Sequence, residues 1–435
     1  MAVDYDLVVV GNNATARWAA IAAKQRLARV ALIAVAPEVI PSHWLLKQWS
    51  QIRHQVDPVS LGPWAQAMTM NLQAARSPAQ LASLGIEQID GIAQFSQKPQ
   101  LQVQVQNRVL RSRRYLLSLD ADLTTPAIPG LLPEDWLTPT DLLQQLDQSP
   151  LAHPTLVVGD GPIATILSQT LARLGHTVSL LSKNAHILPW EDVEAAFRVQ
   201  THLEADGVQI YSHCHIQEVI QQSHSPHQVM TNLGTLTASS LIWADEPTAA
   251  MINPNRVAIK LRHSPQGLWV TPKLQTSHDQ IYACGSVLGG YRLADIAQYE
   301  AMVAVKNALS SLKQPVEYQT IPWSIRTLPA LARVGLTEIQ AQKNSRKFQV
   351  LYQYFKDTEL GVLQDETSGW CKLIVQNDGQ ILGAHVVGTA AAEIIHLIAV
   401  AMQQRCPITA LAESAAFGSS YGSIVGQAAQ QWHHK

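Results

Sequence analysis

Cysteine is scarce in this chain of 435 residues: Cys214, Cys284, Cys371 and Cys406 are the whole complement, and no two are close in sequence. That excludes a disulfide framework and a neighbouring pair of redox cysteines, and it fits a reducing cytoplasm. Charge of one sign is also lacking. Thirty-one basic residues face 33 acidic ones for a formal charge of -2, so neither nucleic acid nor an anionic membrane is expected as a main partner. No apolar run is long enough to span a bilayer. The longest helical one, "AAEIIHLIAVAM" (391–402), is short and carries Glu393 and His396. The chain opens on an apolar strand pattern without a basic n-region, an apolar h-region or a cleavage site, which leads us to expect a cytoplasmic protein. Apolar residues make up 47%, and the length allows two to four globular domains.

What is there begins with "DYDLVVVGNNATARWAAIAAKQRLARVALIAV" (4–35), the outline of strand, glycine turn, helix and strand. Residues 42–54 have helical spacing, and "LQVQVQ" (101–106) alternates as a half-buried strand. The basic cluster "RVLRSRRY" that follows (108–115) reads as a solvated hairpin edge and not a binding patch. A proline-rich connection, 124–139, leads to "TLVVGDGPIATILSQTLARLGHTVSLLSK" (155–183), a second strand, turn, helix and strand. Two such units in one chain are far more specific than one. In the second, Gly159 permits the tight turn, Gly161 lets backbone approach a pyrophosphate, and Ala164 lets helix and strand pack closely. The free N–H groups of the helix start then face phosphate. The strand that normally ends in a ribose-binding carboxylate ends here in Ser182 and Lys183. A cation there tolerates a 2′-phosphate and leans toward NADP(H); a solvated strand end is the equal alternative.

Taken together, the chain resembles the flavoprotein pyridine nucleotide–disulfide oxidoreductases, near dihydrolipoamide dehydrogenase and mercuric reductase. The resemblance rests on ordered blocks from residue 4 to about 430: both glycine turns, "PAIPGL" (126–131), "QTSHDQIYACGS" (275–286), "LADIAQYEAMVAVKNAL" (293–309), "IRTLPALARVGLTE" (325–338) and "GWCKLIVQNDGQILGAHVVG" (369–388). It implies an α/β fold with two Rossmann-like FAD- and NAD(P)-binding domains and a C-terminal α+β dimerisation domain. The expected boundaries are 1–150 with 245–320 for the FAD-type domain, 151–244 for the NAD(P)-type domain and 321–435 for dimerisation. The resemblance implies a homodimer, and the apolar Ile394, Ile395, Leu397 and Ile398 on the helix near Ala391 suggest surface for it.

Carried over residue by residue, many functional positions differ. The family's redox cysteine pair should precede "PSHWLL", where this chain has no cysteine and Val39 takes the second place. The family's flavin-side lysine is His43, and its glutamate partner is Ile166. At the C-terminal acid–base dyad stand Gly418 and Ser423, neither of them titratable. The FAD turn keeps Gly11 but has Asn13 and Ala16 for the second and third glycines, with Ala34 for the ribose carboxylate. The two Ala-Thr-Gly copies are Ala121-Asp122-Leu123 and Trp243-Ala244-Asp245, and the ribityl-binding Gly-Asp is Gly285-Ser286. Losing three or four charge-assisted contacts, each worth about 1.5–3 kcal/mol, should weaken FAD binding. The motifs therefore lead us to expect a divergent FAD/NAD(P)-dependent oxidoreductase that is neither a disulfide nor a mercuric reductase, with NAD(P)H-linked electron transfer to another acceptor. The alternative is a pseudoenzyme dimer that binds an unknown protein partner.

The remaining candidates have plain readings. "SHCHIQ" sets His213 and His215 on one face of an expected surface strand, short of a zinc ligand set. Trp44 either fills space beside a flavin or packs a core, Cys284 reads as a buried structural thiol, and "WHHK" as a polar tail.

Overall fold

The computed structural model describes residues 3–11, 13–35, 48, 61–75, 77–97, 100–119, 128–139, 141–142, 151–220, 226–244, 259–264, 267–290, 293–344, 347–416 and 420–433. Val39, His43, Trp44 and the rest of the expected 42–54 helix apart from Gln48 lie outside them, as do Ala121-Asp122-Leu123, Asp245 and Gly418.

In chain order the elements are β1 (Tyr5–Gly11), α1 (Ala14–Lys24), β2 (Val30–Ala34), α2 (Leu61–Ala75), α3 (Pro78–Ser83), β3 (Glu87–Asp90), β4 (Gln94–Ser96), β5 (Gln102–Val105), β6 (Arg108–Leu110), β7 (Ser112–Ser118), β8 (Trp136–Leu137), β9 (Thr155–Val158), α4 (Pro162–Arg173) and β10 (Val178–Leu181). There follow α5 (Val193–Ala205), β11 (Gln209–Tyr211), β12 (Ile216–Ile220), β13 (His227–Thr231), β14 (Gly234–Ala238), β15 (Ser240–Trp243), β16 (His263–Ser264), β17 (Gly267–Leu268), β18 (Ile281–Ala283) and α6 (Ala294–Leu309). The last stretch holds β19 (Trp323–Ile325), β20 (Ala330–Gly335), α7 (Glu338–Lys343), β21 (Phe348–Tyr354), α8 (Glu359–Leu363), β22 (Trp370–Gln376), β23 (Ile381–Gly388), α9 (Ala391–Gln403), α10 (Ile408–Glu413) and α11 (Ser423–Ala429).

The chain divides into two compact units. The first takes residues 1–40, 63–125 and 247–317; the second includes 126–246 and 318–435. Residues 151–244 and 321–435, expected as separate domains, thus fall in one unit.

The first unit is built on a parallel sheet of order β18-β7-β1-β2-β3. Successive side chains of β1 point to opposite faces, so Leu7 and Val9 pack with α1 and α6 while Val8 and Val10 pack toward the β4-β5-β6 hairpin layer. A strand buried on both faces must be apolar throughout, which is why "LVVV" is continuous. α1 turns Ala16, Ala19, Ala20 and Ala23 inward, and small side chains let it lie close to the strands.

The second unit holds a parallel sheet of order β11-β10-β9-β15-β8 and an antiparallel sheet of order β19-β20-β23-β22-β21. One continuous core joins them: Val157, Leu167, Leu180 and Val199 pack in the same cluster as Ile325, Leu331, Trp370 and Val387. α9 packs on β20 and β23, and this corrects one expectation. Ile394, Ile395 and Ile398 are buried against the sheet, because that stripe faces inward, and only Leu397 and Val400 of the helix are strongly exposed apolar residues. A second correction concerns "SHCHIQ". His213 has φ 51 and lies in the turn between β11 and β12, where Asn232 bonds His213 O (2.8 Å) and His215 N (2.9 Å).

Candidate functional site

In the first unit β1 ends at Gly11, where a side chain has no room: an added Cβ would lie 2.0 Å from Ser118 O and 2.9 Å from Ala16 Cβ. Only glycine fits. Asn13 caps α1 in extended backbone, φ -108, so the tolerance of asparagine for positive φ is not called on. Its Oδ1 accepts from Ala16 N (2.9 Å) and from Ser118 Oγ (3.1 Å). One of the N–H groups that a pyrophosphate would use is thereby satisfied by the protein itself. Ala34, at the end of β2, pairs with Asp90 across the sheet.

The Gly285-Ser286 turn comes to the same place. Gly285 has φ 78, which favours glycine, and its N–H donates to buried Glu300 (2.7 Å). An added Cβ at Gly285 would lie 3.8 Å from Ser118 Oγ. Ser118 therefore sits where the two turns meet, with Ser286 half-buried beside them. Neither Ser118 nor Glu300 stood out in the sequence; both are ordinary residues inside a strand and a helix until the fold aims them at the turns. Cys284 is fully buried, and burial, then the Glu300 charge, pushes its thiol up.

The second turn, in the second unit, differs at the helix start. Gly159 has φ 140, a conformation for glycine. Gly161 is the N-cap of α4, extended at φ -80, and no side chain caps the helix. Pro162 at the first helical position has no N–H to satisfy. Ala164 is completely buried, as close helix–strand packing requires. Between the glycines, Asp160 is 5% exposed and accepts from Asn184 Nδ2 (2.8 Å), with Ser182 Oγ at 3.4 Å. Ser182 is fully buried, and its hydroxyl also has Asn184 O at 3.1 Å. Lys183 is exposed at the strand end. Ile166 lies in the core. Ser423, also buried, donates to Ser420 O (2.7 Å).

A buried ionic network ties this turn to the antiparallel sheet. Leu188 N donates to Asp160 O (2.7 Å), which fixes the loop after β10 to the turn. Two residues on, Trp190 O accepts from Arg333 Nη1 (2.7 Å), and Trp323 Nε1 donates to Glu191 (3.1 Å). Arg333 stacks 4.7 Å from the Trp323 ring and also donates to Gln340 (2.8 Å). Lys372, 1% exposed, reaches Asp192 (3.0 Å), Glu194 (3.0 Å) and Glu338 (2.8 Å). Burial alone would lower the Lys372 pKa, but Glu338, Tyr352 and Asp192 outweigh it and raise it. His385, beside them and fully buried, is pushed down to about 3, by burial first and Arg333 next, against the pull of Asp192. It is neutral: Nε2–H donates to Leu336 O (3.2 Å), and Nδ1 has no partner.

Two family profiles match this chain. One, described as pyridine nucleotide-disulphide oxidoreductase, covers residues 5–301, and that family's dimerisation domain covers 321–425. The chain belongs to the pyridine nucleotide-disulphide oxidoreductase family, whose members bind FAD and NAD(P). The mercuric reductase of Staphylococcus aureus is 26% identical over 94% of this chain and 79% of its own length. Among solved structures, the HOCl-induced flavoprotein disulfide reductase RclA from Escherichia coli superposes with a TM-score of 0.84 at 23% identity, over 99% of this chain and 100% of that one. LpdA from Mycobacterium tuberculosis gives 0.87 at 20% identity, over 98% and 99%.

These findings correct the functional expectation. Reading the altered motifs as grounds to exclude disulfide and mercuric reductase chemistry, or to infer a pseudoenzyme, is contradicted by relatives that carry such activities in their names, the mercuric reductase over 94% of this chain and 79% of its own length. Of the positions behind the exclusion, Val39, His43 and Gly418 lie outside the described residues, and Ile166 and Ser423 are both buried. Among the described residues no helix is long and apolar enough to cross a membrane, and no three His, Cys, Asp or Glu side chains are grouped to hold a metal ion.

Proposed function

We propose that this chain is an NAD(P)H-dependent flavoprotein reductase of the kind its relatives are, passing two electrons from a reduced nicotinamide to an oxidised sulfur or Hg(II) substrate. For a disulfide the balance is NAD(P)H, a proton and RSSR giving NAD(P)+ and two RSH. The observation that carries it is the second turn: positive-φ Gly159, then Gly161 opening a helix whose first N–H groups no side chain caps. Gly159, Gly161 and Ala164 take the pyrophosphate, and the Asp160-Ser182-Lys183 corner takes the adenosine ribose.

Gly11, Asn13, Ala16, Gly285 and Ser286 hold FAD, which when bound supplies the relay between nicotinamide and acceptor. Gly11 lets β7 and α1 close on the turn, but Asn13 must release Ala16 N to a pyrophosphate first. Giving up an N-cap costs about 1 kcal/mol, so FAD is held less firmly than the fold allows. The chain's buried thiols are not the exchanging groups. Cys284 and Cys371 are buried, and burial pushes Cys371 up to about 12. The protein acts as a homodimer through 321–435, with 1–150 and 245–320 serving FAD and 151–244 serving NAD(P)H.

Oxidation of NADH and NADPH by the purified chain with added FAD tests this, using lipoamide, glutathione disulfide and Hg(II) as acceptors. Turnover above a no-enzyme blank with one of them, lost in Gly161→Trp, is expected. No turnover with any of the three overturns the proposal.

A further inference from the structure

At the opposite end of the first unit's sheet lies a cleft of about 670 Å³. Asp6 near the start of β1, Ser112 at the start of β7 and Gln280 just before β18 line it, so it opens at the N-terminal ends of the parallel strands. Dinucleotides bind at the C-terminal ends, where Gly11 lies. A seven-residue strand separates the two by roughly 20 Å. The cleft is a different place.

Arg26, Arg111, Arg113 and Arg114 line it. Arg108 and Arg113 of the basic cluster are exposed, as a solvated hairpin edge would have them, but Arg111 and Arg114 are half-buried. Their Nε donors are buried and have no hydrogen-bond partner among the described residues. Among the described residues the one lining carboxylate, Asp6, is already engaged by Arg29 (3.3 Å) and Arg113 (3.5 Å), and Asp4 accepts the backbone N–H of Arg111 (3.1 Å).

The plainer account is that these arginines neutralise helix C-termini. α1 ends at Lys24 and α6 at Leu309, and residues just past both ends line the cleft. Each helix end carries about half a negative charge. Five guanidinium groups, with Arg29, then face two carboxylates and roughly one further negative charge from the two helices. About two positive charges stay unneutralised, which the plainer account does not use. Guanidinium forks match phosphate oxygens in pairs, and the volume lies in the range of small-molecule sites, too large for a single phosphate.

We propose that this cleft binds a phosphorylated small molecule carrying at least two anionic phosphoryl oxygens' worth of charge, a pyrophosphate-bearing metabolite in class. The site is independent of the reductase reading. Calorimetric titration of the full-length chain with pyrophosphate, ATP and inorganic phosphate tests it. Pyrophosphate should bind, more weakly as salt rises, and at least tenfold more weakly in Arg111→Gln/Arg114→Gln. ATP binding with the same dependence assigns the ligand as an organic pyrophosphate; pyrophosphate without ATP assigns the free ion. Circular dichroism and the melting temperature of the double variant check that it has folded. Should it be unfolded, Arg26→Gln, at an exposed position, decides by the same tenfold criterion. Pyrophosphate affinity equal to that of phosphate, or unaffected by the arginine variants, overturns the site.

Discussion

Replacing Lys372 with methionine keeps the length of the side chain and removes its charge. In the folded protein the ammonium is 1% exposed and within 3.0 Å of carboxylate oxygens on Asp192, Glu194 and Glu338. Glu194, 59% exposed at the side chain, can return to water, and Glu338, at 33%, largely so. Asp192, at 3%, cannot. Breaking a buried pair from one side leaves an uncompensated charge and costs about 3–5 kcal/mol, whereas an exposed pair is worth about 0–1 kcal/mol. The loss should therefore follow Asp192. For a unit of this size 1 kcal/mol moves the melting temperature by about 2–4 °C, so Lys372→Met should lower the second unit's transition by roughly 6–20 °C. Glu194→Gln should lower it by no more than about 4 °C. Lys372→Met with Asp192→Leu removes both buried charges and should recover at least half of the loss. Scanning calorimetry of the four proteins is the assay. A Lys372→Met shift as small as that of Glu194→Gln, or no recovery in the double variant, would refute the assignment of the energy to the Asp192 pair.

His385 makes the same unit sensitive to acid. Its folded pKa is depressed to about 3, below an unfolded value of about 6.5. The unfolded state binds the extra proton between those values, so the stability is fully present above about pH 6.5 and falls as pH drops. At pH 5 the loss is roughly 2 kcal/mol, and His385→Gln should flatten the pH 5–7 slope of the melting temperature. A slope unchanged in the variant would assign it to other groups. Iodoacetamide on the native protein should label at most Cys406, the only cysteine not buried, and leave turnover intact; intact mass and activity are the readouts. Asn13→Gly frees Ala16 N and should tighten FAD binding about fivefold, read from fluorescence quenching of the flavin. Looser binding would mean that the cap shapes the site. Asp160→Asn removes a carboxylate from beside the ribose corner and should raise the NADPH to NADH ratio of kcat/KM; a fall would place the charge elsewhere.

Both glycine turns were legible because backbone sterics leave few residues to choose from: Gly11 has no room for a Cβ, Gly159 holds a φ that L side chains rarely adopt, and a glycine after an apolar run is visible in any sequence. The spacing of "LQVQVQ" gave β5 for a similar reason, a period of two being a property of the backbone. What could not be read were contacts between residues far apart. Lys372 and Asp192 are 180 residues apart, and nothing local distinguishes a lysine that will be buried from one that will be solvated. The stripe Ile394, Ile395, Ile398 announced an apolar face but not its direction; the sheet of β20 and β23 claimed it. "SHCHIQ" failed as a strand because Asn232, distant in sequence, supplies hydrogen bonds that make a turn the better solution. The functional exclusion failed for another reason: motif positions were weighed singly, while the relatives bear on the whole chain.

The core shared by residues 151–244 and the antiparallel sheet has a consequence for motion. Val157 and Leu180 beneath the nucleotide turn are packed in one cluster with Ile325, Trp370 and Val387. Segments that share a core open together, as one cooperative unit. Backbone amides of β9 and β10 should therefore exchange their hydrogens at the same free energy as those of β22 and β23, and a ligand that protects the turn should slow exchange in the far sheet by the same factor.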